Sequence, residues 1–437
     1  MQPLRIGLLG VGTVGGGTIK LLQNNAHEIT RRLGRELIIT HAASRNLERT
    51  RTICGPDTNI TENVFDVVTA PDVDVVVELI GGSTIAKDAV IQAIKNGKHI
   101  VTANKKLLAE YGNEIFRLAS EHNVMVMYEA AVAGGIPIIK ALREGLAANH
   151  IESIAGIING TSNFILSEMR ANGSTFPEAL TQAQALGYAE ADPTFDIEGH
   201  DAGHKLSIIS ALAFGTPINF SQCYLEGISQ LQSLDICYAE ELGYRIKLLG
   251  ITRKTPEGIE LRVHPTLIPE SRLLAKVEGV MNAVSVQADM IGQTLYYGAG
   301  AGAGPTASAV MADIMDVTRL QNAEASYRVP YLAFQSSSLQ NISILPMDEI
   351  TSSYYLRVSA CDEPGVLGEI ANILAAENIS IEALIQKGII NKETAEIVIL
   401  THSTKERFIK QAMSQIQALP RVLSPVTMIR MESLHPR

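Results

Sequence analysis

The sequence predicts an α/β protein whose N-terminal part is a doubly wound parallel sheet. Two observations predict this fold. Short apolar runs with the length of strands alternate with longer helical stretches between Leu4 and Glu129, as in parallel strands joined by crossover helices. A glycine-rich motif directly follows the first of these runs. The predicted strands are Arg5–Gly10, Leu37–Ala43, Val73–Ile80, His99–Ala103 and Val124–Glu129.

The glycine motif predicts a dinucleotide site in a Rossmann-like domain. Gly10, Gly12 and Gly15 form G-x-G-x-x-G between the first strand and a helical run. The first two glycines allow a tight turn and close approach to a pyrophosphate, and the third allows helix–strand packing. Thr13 and Val14 are further candidate contacts. A glycine-rich turn in another α/β protein would give the same pattern.

The end of the second strand indicates which dinucleotide is preferred. An NAD site usually has Asp or Glu there for the ribose hydroxyls, but this strand ends Ala-Ala-Ser-Arg at residues 42–45, and the first acid is Glu48. Arg45 could hold a 2′-phosphate. NADP is therefore expected in preference to NAD. The alternative interpretation is that Arg45 is a solvated arginine at a strand end.

The middle of the chain predicts a separate α+β domain for substrate binding and dimerisation, at residues 136–304. It mixes strands with helical pieces. The helical run Thr306–Leu320 follows a glycine-rich loop, so we expect residues of about 305–335 to rejoin the dinucleotide-binding domain of residues 1–135. The middle elements are strands Ile151–Ile158 and Ile259–Pro265 and helices Phe164–Met169 and Ala202–Leu212.

A serine-rich linker, Ser336–Ser353, precedes a final module at residues 353–437. Its pattern is strand, helix, strand, strand, helix, strand, which is the ferredoxin-like βαββαβ plan. The predicted elements are Tyr354–Ala360, Val366–Asn378, Ile379–Lys387, Ala395–Thr401, Lys405–Leu419 and Val426–Glu432.

Composition limits the partners. A net charge of -10 argues against nucleic acid or an anionic membrane, which would need clustered basic residues. No apolar run reaches the ~18 residues of a membrane span. The four cysteines stand far apart, so we expect reduced core residues rather than a zinc site or a disulfide framework. The sequence predicts a cytoplasmic protein that binds small molecules and copies of itself.

Two places in the chain carry candidate catalytic groups. Lys105 follows the strand His99–Ala103, at the sheet edge where open α/β folds bind ligands. Asp201 and Lys205 are four residues apart, so on one helix the acid can orient the ammonium group. Taken singly, Lys105 could be an ordinary lysine at a loop–helix junction. Asp201 and Lys205 could form an exposed salt bridge without a catalytic role.

Long motifs give the chain a resemblance, over nearly its whole length, to homoserine dehydrogenases with a C-terminal ACT domain. The resemblance implies NAD(P)H-dependent interconversion of L-aspartate 4-semialdehyde and L-homoserine, in threonine and methionine biosynthesis. The motifs are TANK at 102–105, NGTSNFIL at 159–166, GYAEADPTFDIEGHDAGHK at 187–205, GAGAGAGPTASAV at 298–310 and DEPGVLG at 362–368.

By this resemblance Lys105 and Lys205 are catalytic, Glu190 binds the substrate amino group, and Asp196 and Asp201 complete a polar pocket. Reduction of the aldehyde turns its oxygen into an alkoxide, so the site needs a cation that can donate a proton. We prefer Lys205 as proton donor and acceptor, with Lys105 polarising the oxygen, and the reverse assignment stays open.

The resemblance also implies bound ligands beyond the substrate. Carbonyl oxygens of Glu129, Val132, Gly134 and Ile136 would hold a monovalent cation, expected to be sodium because such oxygens suit hard cations; a tight turn without an ion is the alternative. Gly302 would lie against the cofactor. Threonine is the implied effector of the ACT domain, which could instead serve dimerisation only.

A homo-oligomer, dimer or tetramer, is expected from the resemblance, through the region Ile151–Ile158 and the ACT domains. Because Gly10 lies at the start of the chain, we expect the monofunctional form without an aspartate kinase segment. Two alternatives remain: an amino-acid dehydrogenase, and a non-catalytic dinucleotide sensor with the ACT domain as its output. The polar block 187–205 argues against the first, and the paired lysines argue against the second.

Overall fold

A computed structural model describes residues 2–389 and 394–434. The chain divides into two compact units, and each unit draws on several stretches of sequence. Of the described residues, the first unit contains 2–154, 201–223 and 281–342, and the second contains 155–200, 224–280, 343–389 and 394–434. In the described part of the chain, no helix combines the length and apolarity needed to cross a bilayer.

The first unit is built on a six-stranded parallel sheet with the order β3-β2-β1-β4-β5-β6. This is the doubly wound order, which reverses between β1 and β4. The strands are β1 (Leu4–Leu9), β2 (Leu37–Ala43), β3 (Asn59–Thr61), β4 (Val75–Glu78), β5 (His99–Thr102) and β6 (Val126–Met127). The connecting helices are α1 (Thr13–Leu33), α2 (Leu47–Cys54), α3 (Val64–Thr69), α4 (Thr84–Lys95) and α5 (Lys105–Glu121).

The five strands predicted from the sequence form this sheet. The additional edge strand, β3, was not predicted, because a three-residue segment that is mostly polar has no readable periodicity.

The middle of the chain supplies elements to both units. β7 begins in the first unit and ends in the second, and α10 belongs almost wholly to the first. All residues of α10 from Asp201 to Phe214 are buried, including the polar residues Asp201, His204 and Lys205 of its first turns. The elements are α6 (Ile138–Lys140), β7 (Ile151–Ile157), α7 (Gly160–Asn172), α8 (Phe176–Ala185), α9 (Thr194–Ile197), α10 (His200–Phe214), β8 (Tyr224–Leu225), α11 (Ser233–Glu241), β9 (Tyr244–Thr255) and β10 (Gly258–Pro269).

A hairpin and a long helix complete the first unit. The antiparallel hairpin is β11 (Met281–Ala288) and β12 (Gly292–Ala299), and the helix is α12 (Ala303–Leu320). Val310, Ile314 and Val317 of α12 share one hydrophobic core with the α1 residues Ile19 and Leu22. The helix predicted at Thr306–Leu320 is confirmed, and it packs on the glycine-motif helix.

The C-terminal segment forms the predicted βαββαβ module, with the antiparallel order β17-β13-β15-β14. Two parts of it, residues 390–393 and 435–437, lie outside the described residues. The elements are β13 (Thr351–Cys361), α13 (Val366–Ala376), β14 (Ile381–Ile389), β15 (Thr394–Thr401), the short β16 (Thr404–Lys405), α14 (Glu406–Gln417) and β17 (Thr427–Met431).

The module shares its sheet with the rest of the second unit. β17 pairs in parallel with β10 through Thr266 and Leu267, and β10 forms a long antiparallel hairpin with β9. No local pattern could predict this junction, because it joins strands that are distant in the sequence.

All four cysteines lie in the described part of the chain, and none of them forms a disulfide there. The expectation that they are core residues is wrong for Cys237, which is exposed; Cys54, Cys223 and Cys361 are partly buried, and Cys54 packs against the core of the first unit. In α11 the inward-facing residues include Ile236 and Ala239, so Cys237 lies on the solvent side of that helix.

Candidate active site

The glycine loop between β1 and α1 has the geometry of a dinucleotide site. Gly10 has φ +95°, and a Cβ there would lie 2.7 Å from the Leu79 carbonyl oxygen. A Cβ on Gly15 would collide with the Gly10 carbonyl oxygen. A Cβ on Gly12 would meet nothing within 4 Å, so the N-terminus of α1 has open space in front of it. These features fit a pyrophosphate held by the first amides of the helix.

Arg45 lies at the neighbouring strand end. β2 ends at Ala43, and the exposed Arg45 precedes Asn46, whose side chain accepts a 3.1 Å hydrogen bond from the Arg49 amide and caps α2. The carboxyl end of the second strand is where a Rossmann fold receives the adenosine ribose. An arginine there is available to a 2′-phosphate.

The carboxylate of Asp201 bridges the two candidate lysines. Lys105 is the first residue of α5, and its Nζ lies 2.9 Å from Asp201 Oδ1. Lys205 lies one turn after Asp201 on α10, as the spacing predicts, and its Nζ lies 2.6 Å from Oδ2. The side chains of Asp201, Lys205 and Lys105 are 4%, 10% and 35% exposed. One carboxylate therefore orients a buried lysine and a more accessible one.

Electrostatics keep Asp201 ionised. Burial alone would raise the pKa of its carboxyl, but attraction to Lys205 and Lys105 and hydrogen bonds from both lysines outweigh burial. The pKa therefore lies well below its usual range. The sequence predicted that Asp201 orients Lys205 and completes the polar pocket, but it did not indicate that the same carboxylate also contacts Lys105.

His204, which sequence reasoning missed, lies beside this cluster on α10. It is 3% exposed, and its ring packs edge-on against the ring of Phe220, with 4.1 Å between the ring centroids. Burial lowers the pKa of His204 to about 4. The imidazole is therefore neutral at physiological pH and adds no further positive charge to the two lysines.

The second unit brings together two other motifs. Asn159 caps α7 by accepting a 2.8 Å hydrogen bond from the Ser162 amide, and its Nδ2 donates to Asp196 Oδ1 at 2.7 Å. Ser162 donates to the main-chain oxygen of Asp196 at 3.0 Å. Asp196 belongs to α9, and Glu190 is exposed on the loop before it. The NGTSNFIL motif thus orients the acidic segment.

The loop predicted to hold a cation is rigidly packed. Its residues Ala133 and Gly134 have φ +54° and +50°, and a Cβ on Gly134 would collide with Gly300. The Gly135 amide donates to the Ala299 carbonyl oxygen at 3.0 Å, which joins this loop to the glycine-rich loop that contains Gly302.

Two buried acids anchor that loop: Glu129, which was predicted only for its carbonyl oxygen, and Asp313, which sequence reasoning missed. The Glu129 amide donates to Asp313 Oδ2 at 2.8 Å, and the Glu129 carboxylate accepts from the amides of Ile139 and Lys140 at 2.8 Å. Burial raises the pKa of Glu129 to about 7. In residues 2–389 and 394–434, no cluster of three or more His, Cys, Asp and Glu residues could hold a metal ion. Main-chain oxygens, which suit a hard cation, are the ligands that this loop offers.

The fold and site define a class: a dinucleotide-dependent oxidoreductase with a lysine–aspartate–lysine cluster and a C-terminal ferredoxin-like module. Three family models match the chain. The model described as homoserine dehydrogenase matches residues 137–315, its NAD-binding domain matches residues 10–129, and the ACT domain matches residues 354–421.

The chain belongs to the homoserine dehydrogenase family. It is 71% identical to the homoserine dehydrogenase of Neisseria gonorrhoeae over 435 residues, with 100% of both chains covered. The crystal structure of a homoserine dehydrogenase from Thiobacillus denitrificans matches with TM-score 0.95 and 60% identity, covering 100% of this chain and 99% of that one. A hyperthermophilic archaeal homoserine dehydrogenase mutant in complex with NADPH matches with TM-score 0.62 and 26% identity, covering 73% of this chain and 98% of that one.

These matches confirm the predicted family, the Rossmann-like and ACT folds and the enzyme class, an NAD(P)-dependent oxidoreductase. The matches favour a homoserine dehydrogenase over an amino-acid dehydrogenase and over a non-catalytic dinucleotide sensor.

Proposed function

We propose that the protein interconverts L-aspartate 4-semialdehyde and L-homoserine with Lys205 as the proton donor and acceptor. The observation that carries this mechanism is the pairing of Asp201 with both Lys105 and Lys205. A bound nicotinamide supplies or accepts the hydride. As negative charge grows on the C4 oxygen, the site must provide a cation and a proton.

The two lysines divide these tasks by exposure. Lys205 is the more buried of the two, so it exchanges its proton with substrate rather than with bulk water. In homoserine oxidation the neutral amine of Lys205 takes the hydroxyl proton as hydride leaves for the nicotinamide, and in aldehyde reduction its ammonium group gives a proton to the C4 oxygen. Lys105 stabilises the charge on that oxygen, and Asp201 holds both ammonium groups in position. Glu190 binds the substrate amino group, and Asp196 completes the polar pocket.

The proposal includes NADP preference through Arg45 and a sodium ion on the carbonyl oxygens of Glu129, Val132, Gly134 and Ile136. Gly10, Gly12, Thr13, Val14, Gly15, Lys105 and Gly302 are the proposed cofactor contacts. The exposed position of Arg45 just after β2 supports NADP preference. The left-handed backbone at Ala133 and Gly134 supports the sodium site, because it gives the loop a fixed bend.

Feedback control by threonine through the ACT module is also part of the proposal. Arg430 of β17 is 1% exposed and pairs with Glu406 of α14 at 2.6 Å and with Glu226 at 2.7 Å. Gly227 packs against Ile197 and Glu198, and the Ile228 amide donates to the Ile197 carbonyl oxygen at 2.9 Å. An ion pair within the ACT module is thus connected to the segment that carries Asp196.

The remaining expectations stay predictions. They are the three-domain division at residues 1–135 with 305–335, 136–304 and 353–437, a dimer or tetramer, a cytoplasmic location, and a place in threonine and methionine biosynthesis.

The test is homoserine-dependent reduction of NADP and of NAD at alkaline pH, followed by nicotinamide absorbance with and without threonine. We expect reduction of both, faster with NADP at low concentration, and inhibition by threonine. Failure to reduce either cofactor in sodium or potassium buffer would overturn the proposed reaction. Reduction without any threonine effect would overturn only the regulatory part.

A further inference from the structure

Glu78 is a buried acid at the centre of the cofactor edge of the sheet, and the mechanism above does not use it. It is the last residue of β4 and is 0% exposed. In the sheet it is paired with Leu9 of β1 on one side and with Thr102 of β5 on the other. It therefore lies at the point where the strand order reverses and where open α/β sheets bind their ligands.

Four donors point at this carboxylate. Thr102 Oγ1 donates to Oε2 at 2.6 Å, and the amides of Ile80 and Gly81 donate to Oε1 at 3.0 and 3.2 Å. Asn104 Nδ2 lies 3.5 Å from Oε1. Burial raises the pKa of Glu78 despite these hydrogen bonds. A buried acid is costly unless its partners compensate, and here the partners come from two separate loops.

Those two loops carry functional parts of the cofactor edge. The loop after β4 contacts the glycine motif, since a Cβ on Gly10 would lie 2.7 Å from the Leu79 carbonyl oxygen. Thr102 is the last residue of β5, and its Oγ1 also accepts a hydrogen bond from the amide of Asn104 in the loop that follows, at 3.0 Å. Asn104 in turn donates to the Gly82 carbonyl oxygen at 2.6 Å.

Asn104 also determines where α5 begins. Its Oδ1 accepts the Leu107 amide at 3.0 Å and caps the helix whose first residue is Lys105. The connection runs from Glu78 through Thr102 and Asn104 to the backbone of Lys105. A displacement of the carboxylate would move this lysine relative to Asp201.

We propose that Glu78 is a positioning residue, which acts through Thr102 and Asn104 to hold Lys105 and the loop after β4 in place for hydride transfer. The inference rests on the proposed role of Lys105.

The decisive comparison is between two substitutions of the buried Thr102. Thr102→Val keeps the shape and loses the hydroxyl group, whereas Thr102→Ser keeps the hydroxyl and loses a buried methyl group. We expect Thr102→Val to lower kcat for homoserine oxidation about tenfold, since small displacements of catalytic groups cost this much or more. Thr102→Ser should keep kcat within about twofold even though loss of a core methyl group lowers its stability to urea.

Glu78→Gln is the direct variant, with Glu62→Gln, an exposed position in the same sheet domain, as the matched control. Glu78→Gln should lower kcat at least about tenfold and weaken NADPH binding, measured by fluorescence titration without substrate. Glu62→Gln should leave both unchanged.

Three outcomes can be told apart. If Thr102→Ser loses as much kcat as Thr102→Val, or more, activity does not depend on the hydroxyl group that contacts Glu78, and the positioning role is overturned. A wild-type kcat for folded Glu78→Gln also overturns it. The comparison of Thr102→Val with Thr102→Ser tests the positioning role even if Glu78→Gln does not fold. Lys105→Ala is assayed alongside: wild-type turnover by that variant would instead overturn the proposed role of Lys105.

Discussion

Asp201 Oδ2 lies 2.6 Å from Lys205 Nζ, one turn further along α10, and both side chains are almost fully shielded from solvent. A buried pair of this kind is costly to break, because removal of one partner leaves the other charge uncompensated. The two residues therefore differ in what their substitution should do.

Lys205→Ala should lower kcat about 10³-fold or more, since it removes the proposed proton donor, while NADPH still binds. Asp201→Asn should lower kcat less and lower the free energy of unfolding by about 3 kcal/mol, because two lysines lose their shared counter-ion. Steady-state kinetics, fluorescence titration and urea unfolding check these results. Loss of NADPH binding by Lys205→Ala without a specific defect in turnover would contradict its assignment to proton transfer.

The sequence predicted this cluster only in part. The four-residue spacing of Asp201 and Lys205 predicted their shared face, because helix geometry is local. The approach of Lys105 depends on how α5 and α10 pack, so no local pattern could predict it. The same holds for the Glu129–Asp313 contact and for the pairing of β17 with β10. Regular periodicity, by contrast, predicted five of the six parallel strands and the order of elements in the ACT module.

Buried His204 predicts a loss of stability in mild acid. Its pKa falls from an ordinary 6.5 to about 4 in the folded protein, so between these values the unfolded chain binds the extra proton. The contribution of His204 to the free energy of unfolding is thus present above pH 6.5 and is lost as pH falls towards 4. The acids and bases around it are Glu110, Asp201, Lys105 and Lys106.

His204→Gln should therefore flatten the decrease in stability between pH 6.5 and 4 by at most about 3 kcal/mol. Urea unfolding at several pH values measures this slope. His27→Gln, at an exposed position on α1, is the control and should leave the slope unchanged. If His204→Gln and wild type lost stability in parallel, the imidazole would not be held neutral in the fold.

Arg45→Ala tests the cofactor preference. It should raise KM for NADP about tenfold and change KM for NAD less than twofold, because only NADP carries the 2′-phosphate that a guanidinium group can bind. Arg32→Ala, which removes an exposed arginine near the end of α1, is the matched control. Equal effects of Arg45→Ala on both cofactors would return Arg45 to the role of a solvated surface residue.

Replacement of sodium tests the proposed cation site. In choline chloride at constant ionic strength, turnover should fall several-fold and be restored by sodium at millimolar concentration, since main-chain oxygens bind a small hard cation but exclude choline. Activity against sodium concentration is the measurement. Asp313→Ala, which removes the acceptor of the Glu129 amide, should raise the sodium concentration required. Identical turnover in choline and sodium would mean that the loop from Glu129 to Ile136 is a tight turn without an ion.

Glu226→Gln tests whether the ACT module controls the substrate segment. Arg430 connects Glu226 to Glu406 of the module, and Glu226 directly precedes Gly227, which packs on Ile197. We expect Glu226→Gln to keep kcat within about twofold and to raise the threonine concentration for half-inhibition about tenfold, a coupling change of roughly 1.4 kcal/mol. Inhibition curves at fixed homoserine concentration measure it.

The control for Glu226→Gln is Glu349→Gln, which disrupts exposed ion pairs with Lys405 and Arg407 in the same module. Exposed ion pairs contribute little to stability, so the threonine inhibition curve of Glu349→Gln should match that of the wild type. If both variants were inhibited like wild type, the Arg430–Glu226 contact would stabilise the sheet without transmitting the effect of threonine binding. If both lost inhibition equally, the effect would come from general loosening of the module. Only a selective loss of threonine inhibition in Glu226→Gln assigns the coupling to the contact between Arg430 of β17 and Glu226.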